Sequence, residues 1–378
     1  MNGFYRRFLD APALALLGLV SLGGPEGTAA TAEPWTVHVW AEPFDYTSTA
    51  TVTEYQPLDR ASRPWRLCVC YPHLKDSYWL SVNYGMVQEV ERLDVGMELF
   101  TAGGYPNLER QKEQIRRCAA SDADALIVGA VSYDGLTQTI LEASGDLPVV
   151  AAVNDIADEG IDAKVGVSWH DLGATASAYL AERHPAGTSP VDVARFPGPR
   201  DSGWVSFIQS GFESGLAASS ARVVTTKRGD TGAEIQHLLL EEALEEYPDI
   251  DYIVGSAPTA EAAVGLLRAR DRLGEIGVIA DYFTHGVFRG IKRERILAAP
   301  NDSPVLQGRL AIDMAVRLLE GELHIKHAGP PITIVTAETV DAIDLEQSLS
   351  PAEFAPTFRV EPATRAGTAS AEGSASAP

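Results

Sequence analysis

Strand-like and helix-like segments alternate along most of this chain, and that alternation limits the folds it can adopt. The clearest unit begins with residues 67–71, an apolar run that is long enough for a buried strand and too short for a helix. Pro72 ends the run. Asp76 can cap a helix, and apolar residues then recur at helical spacing from Trp79 to Val90. Alternating units of this kind imply parallel sheets, whose ligands bind beyond the carboxyl ends of the strands.

The alternation continues to about residue 340. Further strands are predicted at residues 96–102, 123–131, 147–154, 165–169, 191–196, 222–227, 252–256 and 276–282. Predicted helices include residues 234–246, 286–293 and 308–319, and a last β-rich run spans residues 331–339. We therefore expect an α/β protein with doubly wound parallel sheets, and a length of 378 residues is sufficient for two domains.

The first 32 residues have the pattern of an export signal. Arg6 and Arg7 precede an apolar run at residues 13–22, and Ala30-Thr31-Ala32 forms a small-x-small cleavage site before Glu33. The apolar run is shorter than the roughly 20 residues that span a bilayer. We expect a cleaved signal peptide and an exported protein without membrane insertion; a retained N-terminal anchor is the alternative.

Charge and motif content exclude several classes of function. The formal net charge of −22 argues against nucleic acid as a partner, because phosphate binding needs clustered Lys and Arg. The sequence contains no G-x-S-x-G elbow, Walker A loop, H-E-x-x-H motif or strand-linked G-x-G-x-x-G. It also contains no C-x-x-C pair. We therefore expect a binding protein rather than an enzyme, with no cofactor and no metal.

The three cysteines allow one disulfide in an exported protein. Cys68 and Cys70 are two residues apart on a predicted strand, so they point to the same face and are poorly placed to bond each other. One of them, with Cys68 as the candidate, can bridge to Cys118 at the end of a predicted helix. Three buried free thiols are the alternative.

Several aromatic residues lie on turns or junctions at the carboxyl ends of predicted strands. They are Tyr78, Trp79, Tyr105, Trp169 and Tyr282. In a two-lobed α/β protein, these strand ends face the cleft between the lobes. Core packing explains any one ring by itself, whereas the shared placement predicts an aromatic box. Such rings attract a methylated ammonium group, and each contact contributes roughly 0.5–2 kcal/mol.

Polar residues near the same strand ends allow a second use of this surface. The rings would then stack on a sugar, and polar side chains would bind its hydroxyl groups. The candidate polar residues are Asp76, Asn154, Arg200 and Asp281.

Longer motifs carry a family resemblance. The segment AAPNDSPVLQGRLAIDMAVRLLEG at residues 298–321 resembles the type I periplasmic binding proteins, which share their fold with the effector domains of LacI-type repressors. Five motifs, YPHLKDSYWLSVNYGM, AGGYPN, YLAERHP, DYIVGSA and THGVFRG, resemble a branch of that family that detects trimethylamine N-oxide (TMAO) for a sensor histidine kinase. The resemblance covers about residues 64–340, and the loop GPRDSGW at residues 198–204 departs from it.

The resemblance implies two lobes joined by a three-segment hinge. Lobe 1 would comprise residues 64–166 plus 283–325, and lobe 2 would comprise residues 167–282 plus 326–350. An extended N-terminal arm would occupy residues 33–63, with a possible strand at Trp35–Trp40, and a low-complexity tail would occupy residues 351–378.

The resemblance also implies a function. TMAO would lie in a box made by the five rings named above, and a tyrosine hydroxyl, an indole N–H or Arg200 would donate to its oxygen. The protein would be periplasmic and would signal to the periplasmic domain of a sensor histidine kinase in a two-component system. The alternative is a substrate-binding protein that delivers a sugar or a methylated amine to an ABC permease.

Overall fold

Two sheets flanked by helices organise the chain. The structure, a computed structural model, describes residues 32–145, 147–200 and 202–362. Its strands are β1 (Trp35–Trp40), β2 (Ala50–Tyr55), β3 (Arg66–Tyr71), β4 (Gly96–Thr101), β5 (Ala125–Val128), β6 (Val149–Val153), β7 (Ala163–Gly166), β8 (Val191–Gly198), β9 (Ala221–Arg228), β10 (Tyr252–Gly255), β11 (Gly277–Ala280), β12 (Ala298–Asn301), β13 (His327–Gly329), β14 (Thr333–Thr336) and β15 (Arg359–Val360). Its helices are α1 (Ser77–Leu93), α2 (Leu108–Ala119), α3 (Thr137–Ser144), α4 (Trp169–Arg183), α5 (Gly203–Leu216), α6 (Ala233–Glu246), α7 (Ala257–Ala269), α8 (His285–Lys292), α9 (Pro304–Glu320) and α10 (Leu345–Ser348).

Each lobe is built on one of the sheets. Lobe 1 contains the order β15-β4-β3-β5-β6-β7-β13-β1-β2, and lobe 2 contains the order β14-β12-β11-β10-β8-β9. The central strands run parallel, whereas β1, β2, β14 and β15 form antiparallel pairs. Central strands such as β5 and β6 are apolar along their whole length because helices cover both faces of a parallel sheet. The predicted two-lobed α/β fold is confirmed.

Three short segments carry the chain between the lobes, and the longer stretch between β14 and β15 crosses back to lobe 1 once more. The first crossing, residues 167–168, joins β7 to α4, and the second, residues 302–303, joins β12 of lobe 2 to α9 of lobe 1. The third crossing, residues 330–332, joins β13 of lobe 1 to β14 of lobe 2. The three short segments form the three-segment hinge that the family resemblance implied.

The boundaries of the lobes differ from those predicted. Residues 283–325 were predicted in lobe 1, but β12 pairs with β11 and β14 and therefore belongs to the lobe 2 sheet. Residues 326–350 were predicted in lobe 2, but β13 pairs with β7 and β1 in the lobe 1 sheet. The alternation of strands and helices predicts elements and does not say which sheet each strand joins, so the second and third crossings were predicted at the wrong residues, whereas the first, between residues 166 and 169, agrees with the prediction.

The two predicted terminal segments are partly incorporated in lobe 1. The arm at residues 33–63 forms the β1–β2 hairpin, which joins the sheet through β13. The tail predicted at residues 351–378 begins too early, because β15 pairs with β4 and the Asn83 side chain bonds the backbone of Thr357 in both directions. The signal peptide, except Ala32, and residues 363–378 lie outside the described residues.

The described residues contain one disulfide and one free cysteine. A disulfide joins Cys68 on β3 to Cys118 on α2, and Cys70 is a buried free thiol. None of the helices in the described ranges is both long enough and apolar enough to cross a membrane.

Close packing of α1 against α9 fixes the two helices that border the cleft in lobe 1. A Cβ atom built on Gly85 would lie 2.0 Å from the carbonyl oxygen of Val305, and one built on Gly308 would lie 2.2 Å from that of Val82. The two backbones therefore approach more closely than any larger residue permits. This contact holds the first turn of α1 in place beside the second hinge crossing.

We predict that Gly308→Ala destabilises the protein by about 1–3 kcal/mol or more, because backbone atoms must move to admit the methyl group. Gly265 is a matched control, since it lies on exposed helix surface of α7 and an added Cβ meets nothing within 4 Å. Gly265→Ala should stabilise the protein by up to about 1 kcal/mol. Urea unfolding measures both changes, and equal effects would contradict the packing argument.

Candidate ligand-binding site between the lobes

The carboxyl ends of the strands bring aromatic side chains from both lobes into the cleft. In lobe 1, Tyr78 and Trp79 lie on the first turn of α1 after β3, where the Asp76 carboxylate caps the helix by accepting from the Trp79 backbone N–H at 3.1 Å. Tyr105 lies in the turn after β4. In lobe 2, Trp169 begins α4 and Tyr282 follows β11. The structure therefore places all five predicted rings at the cleft.

A sixth ring, Trp204, belongs to the same group. It lies on the first turn of α5, after β8, and its ring centroid is 5.1 Å from that of Trp169, 5.8 Å from that of Tyr105 and 6.1 Å from that of Tyr282. The sequence prediction missed it because the loop before it departs from the family pattern. The rule that selected the other rings, an aromatic residue after a strand's carboxyl end, also fits Trp204.

These six rings form what we call the aromatic cluster: Tyr78, Trp79, Tyr105, Trp169, Trp204 and Tyr282. Tyr282 is central, with its centroid 5.3 Å from Tyr78 and 6.2 Å from Trp169 in edge-to-face arrangements. All except the partly buried Tyr105 are at most 4% exposed. Trp79 also packs against Tyr71 at 4.7 Å, so it serves the lobe 1 core as well.

The Tyr105 hydroxyl is arranged as a donor. Its oxygen accepts a hydrogen bond from the Asn154 side-chain amide at 3.3 Å. Within the described residues no group accepts its hydrogen, which therefore remains for another group. Burial raises the pKa of Tyr105, which keeps the hydroxyl neutral and protonated.

One indole N–H of the cluster lacks a partner among the described residues. The Nε1–H of Trp169 donates to the Val153 carbonyl oxygen at 3.1 Å, whereas the Nε1–H of Trp204 is buried with no acceptor in reach. Leaving a buried donor unpaired costs about 1–3 kcal/mol. Trp204 and Tyr105 therefore offer two donors within one ring cluster, 5.8 Å apart by ring centroid.

The predicted polar residues are largely engaged within the protein. Asp76 is half-buried at the α1 N-cap, and its charge raises the pKa of Tyr282 after the larger effect of burial. Asn154 also donates to the Ala130 carbonyl oxygen at 2.7 Å. Arg200 is exposed in the loop before α5, so nothing in its placement brings it to the rings.

Asp281 lies in a buried ion pair. Both of its carboxylate oxygens accept from Arg195 Nη1 at 2.7 Å, and neither side chain is exposed to solvent. Burial raises the pKa of Asp281, and the charge of Arg195 opposes that shift. No pattern in the sequence pointed to Arg195, because only the fold places β8 and β11 on either side of β10. Within the described residues, no group of three or more His, Cys, Asp and Glu side chains is placed to hold a metal ion.

We predict that Asp281→Asn destabilises the protein by about 3–5 kcal/mol, because it leaves the buried guanidinium of Arg195 without its counter-ion. Asp192→Asn is the control, since Asp192 pairs with Arg222 at the surface and such pairs contribute about 1 kcal/mol or less. Urea unfolding of both variants measures the difference. Equal losses of stability in the two variants would show that the buried ion pair contributes no more than the surface pair.

Comparisons with known proteins agree with this architecture. A family model described as a periplasmic binding protein domain matches residues 67–323. The periplasmic protein TorT of Escherichia coli (strain K12) is 38% identical over 310 residues, which is 82% of this chain and 88% of TorT.

Solved structures are similar to the chain over most of its length. An ABC transporter solute-binding protein from Bradyrhizobium sp. BTAi1 with bound bis-tris is 46% identical, with a TM-score of 0.75, covering 86% of this chain and 98% of that one. TorT in complex with the TorS sensor domain, solved without ligand and with TMAO, is 40% identical, with a TM-score of 0.71, covering 78% of this chain and 99% of that one. This chain therefore belongs to the periplasmic binding proteins and, among them, to the family of TorT.

Proposed function

We propose that this chain is a non-enzymatic periplasmic sensor that binds TMAO between its lobes and signals to a TorS-like sensor histidine kinase. Its relative TorT forms a complex with the TorS sensor domain, with and without TMAO. The observation that carries the proposal is the aromatic cluster, which combines six rings from two lobes with two hydrogen-bond donors that have no acceptor among the described residues.

The rings suit the methylated end of TMAO. Its nitrogen carries a formal positive charge spread over three methyl groups, and aromatic faces attract such a cation at roughly 0.5–2 kcal/mol per contact. Trp and Tyr rings also bury methyl surface, which contributes about 25 cal/mol per Å² of apolar area. Asp76 adds negative charge near Tyr105 and Tyr282 without occupying the ring surfaces.

The two free donors suit the oxide end. The oxide carries a formal negative charge and accepts strong hydrogen bonds, and bonds to charged groups contribute about 1.5–3 kcal/mol. The Tyr105 hydroxyl and the Trp204 indole N–H supply those bonds. Arg200, which was predicted as a possible donor, is replaced in this role by Trp204.

Binding would be coupled to the arrangement of the lobes. Tyr78, Trp79 and Tyr105 come from lobe 1, whereas Trp169, Trp204 and Tyr282 come from lobe 2. A ligand that contacts both sets binds the closed arrangement of the lobes more tightly than the open one. It shifts the equilibrium toward the closed arrangement by that difference in affinity. A kinase domain that distinguishes closed from open lobes then detects TMAO, which places the protein in two-component control of TMAO respiration.

A transport role is the second candidate. The relative from Bradyrhizobium is described as an ABC transporter solute-binding protein, and its bound bis-tris is a tertiary amine with hydroxyl-bearing arms. The same aromatic cluster would accept an alkylated amine that is delivered to a permease. Ligand preference and kinase binding separate the two candidates.

We predict that the mature chain, residues 33–378, binds TMAO more tightly than trimethylamine, betaine, ribose or bis-tris in calorimetric titration. Trp204→Phe should weaken TMAO binding about tenfold or more, because it removes an N–H donor and keeps an aromatic ring. Its effect on trimethylamine should be small, since trimethylamine has no oxide to accept the bond.

Trp65→Phe is the matched control. This variant also removes an indole N–H, which donates to Glu320 at 3.0 Å, but Trp65 lies before β3, at the opposite end of that strand from the cleft. Its TMAO affinity should be unchanged. If the protein binds bis-tris or ribose more tightly than TMAO and does not bind a TorS-like sensor domain, the transport role is favoured instead.

A further inference from the structure

A buried carboxylate lies in the second hinge crossing, next to the aromatic cluster. Asp302 separates β12 of lobe 2 from α9 of lobe 1 and is 0% exposed. The following residue, Ser303, has a left-handed backbone with φ of 47°, which turns the chain sharply into α9. Any rotation of one lobe against the other therefore moves a residue in this position relative to its neighbours.

Two donors hold one oxygen of this carboxylate. Tyr78 donates its hydroxyl to Asp302 Oδ2 at 2.6 Å, and Gln307 donates its amide to the same atom at 2.9 Å. Gln307 also bonds the backbone carbonyl of Asp302 at 2.8 Å, which fixes the carboxylate against the start of α9. A ring of the aromatic cluster is thereby tied directly to the hinge.

The other oxygen is unsatisfied. Asp302 Oδ1 is buried and has no hydrogen-bond partner among the described residues. Burial raises the pKa of Asp302 to about 6 despite the bonds from Tyr78 and Gln307, so the group is mostly ionised at neutral pH. Burying a charge without full compensation is costly unless a positive group lies nearby.

We propose that Asp302 is a positioning residue that orients Tyr78 in the aromatic cluster, strengthens its attraction for a methylated cation and links its position to the hinge. This inference rests on the proposed function. It concerns how one ring is tuned and does not place Asp302 in contact with the ligand.

The electrostatic part follows from the bond between Tyr78 and Asp302. A phenol that donates to a carboxylate gains electron density on its ring, because a charge-assisted hydrogen bond polarises the O–H group. A more negative ring face attracts a cation more strongly. The carboxylate also contributes its own negative charge in a low-dielectric interior, where such charges act over longer distances than in water.

The mechanical part follows from the partners of Tyr78. Its ring contacts Tyr282 of lobe 2 at 5.3 Å, while its hydroxyl is bound to the hinge at 2.6 Å. Rotation about the crossing at residues 302–303 displaces the carboxylate and changes the orientation of the ring. A ligand that requires the observed ring orientation therefore favours the closed hinge.

A double-mutant cycle tests the inference. TMAO affinity is measured for the wild type, Asp302→Asn, Tyr78→Phe and the double variant. We expect Asp302→Asn to weaken TMAO binding about tenfold, and the double variant to be no weaker than the worse single variant to within about twofold. Each variant should also lose more affinity for TMAO than for tert-butanol, which has the same shape with a neutral central carbon.

Asp313→Asn is the matched control. Tyr55 donates to Asp313 at 2.5 Å in a second buried tyrosine–aspartate pair, which lies on β2 and α9 away from the cluster. This variant should lose stability to urea and keep its TMAO affinity to within about twofold. If Asp302→Asn does not fold, Tyr78→Phe alone tests the TMAO-to-tert-butanol ratio.

The contrary results distinguish a failure of the proposed function from a failure of this inference. Absence of TMAO binding in the wild type overturns the proposed function and this inference with it. Wild-type binding overturns the inference alone if Asp302→Asn keeps its affinity, if the two single effects multiply in the double variant, or if TMAO and tert-butanol weaken equally. An equal loss of affinity in Asp313→Asn also overturns it, because the effect would then be a general loss of packing.

Discussion

The direction of the parallel strands is the constraint on which the site depends. Because neighbouring strands of a parallel sheet end at the same edge, residues far apart in sequence meet wherever they follow those ends. Here the edges of two sheets face one cleft, and the rings that follow β3, β4, β8, β7 and β11 come within contact of one another. The close packing of α1 on α9 then holds the lobe 1 rings beside the hinge.

Much of this arrangement was predictable from the sequence. Short apolar runs such as β3 and β6 are separated by segments of helical period, which is enough to predict parallel sheets and their edges. Tyr105 and Tyr282 were selected because each lies at the carboxyl end of such a run. The local pattern is informative here because strand ends and ring positions are both local properties of the chain.

The remaining features depend on pairings between distant segments. The place of β12 in the lobe 2 sheet follows from its bonds to β11 and β14, and no residue within β12 indicates that choice. Arg195 and Asp281 are 86 residues apart and meet only because β8 and β11 flank β10 in one sheet. Similarly, β15 lies in a segment whose composition predicts a tail. Its pairing with β4 nevertheless makes it the edge strand of the lobe 1 sheet.

The internal engagement of the polar groups bears on which ligand the cleft suits. A sugar needs several free side chains around its ring, because each buried hydroxyl must find a partner. Asp281 is held by Arg195, and Asn154 is held between Ala130 and Tyr105. Among the described residues, the free groups beside the rings are two donors, the Tyr105 hydroxyl and the Trp204 indole N–H, and two buried acceptor oxygens next to Tyr78, Asp302 Oδ1 and Gln307 Oε1. A ligand with one strong acceptor and a methylated, cationic surface pairs with both donors and is attracted by the Asp302 carboxylate. A sugar carries more hydroxyl hydrogens than these two oxygens can accept, and each one left unpaired costs about 1–3 kcal/mol.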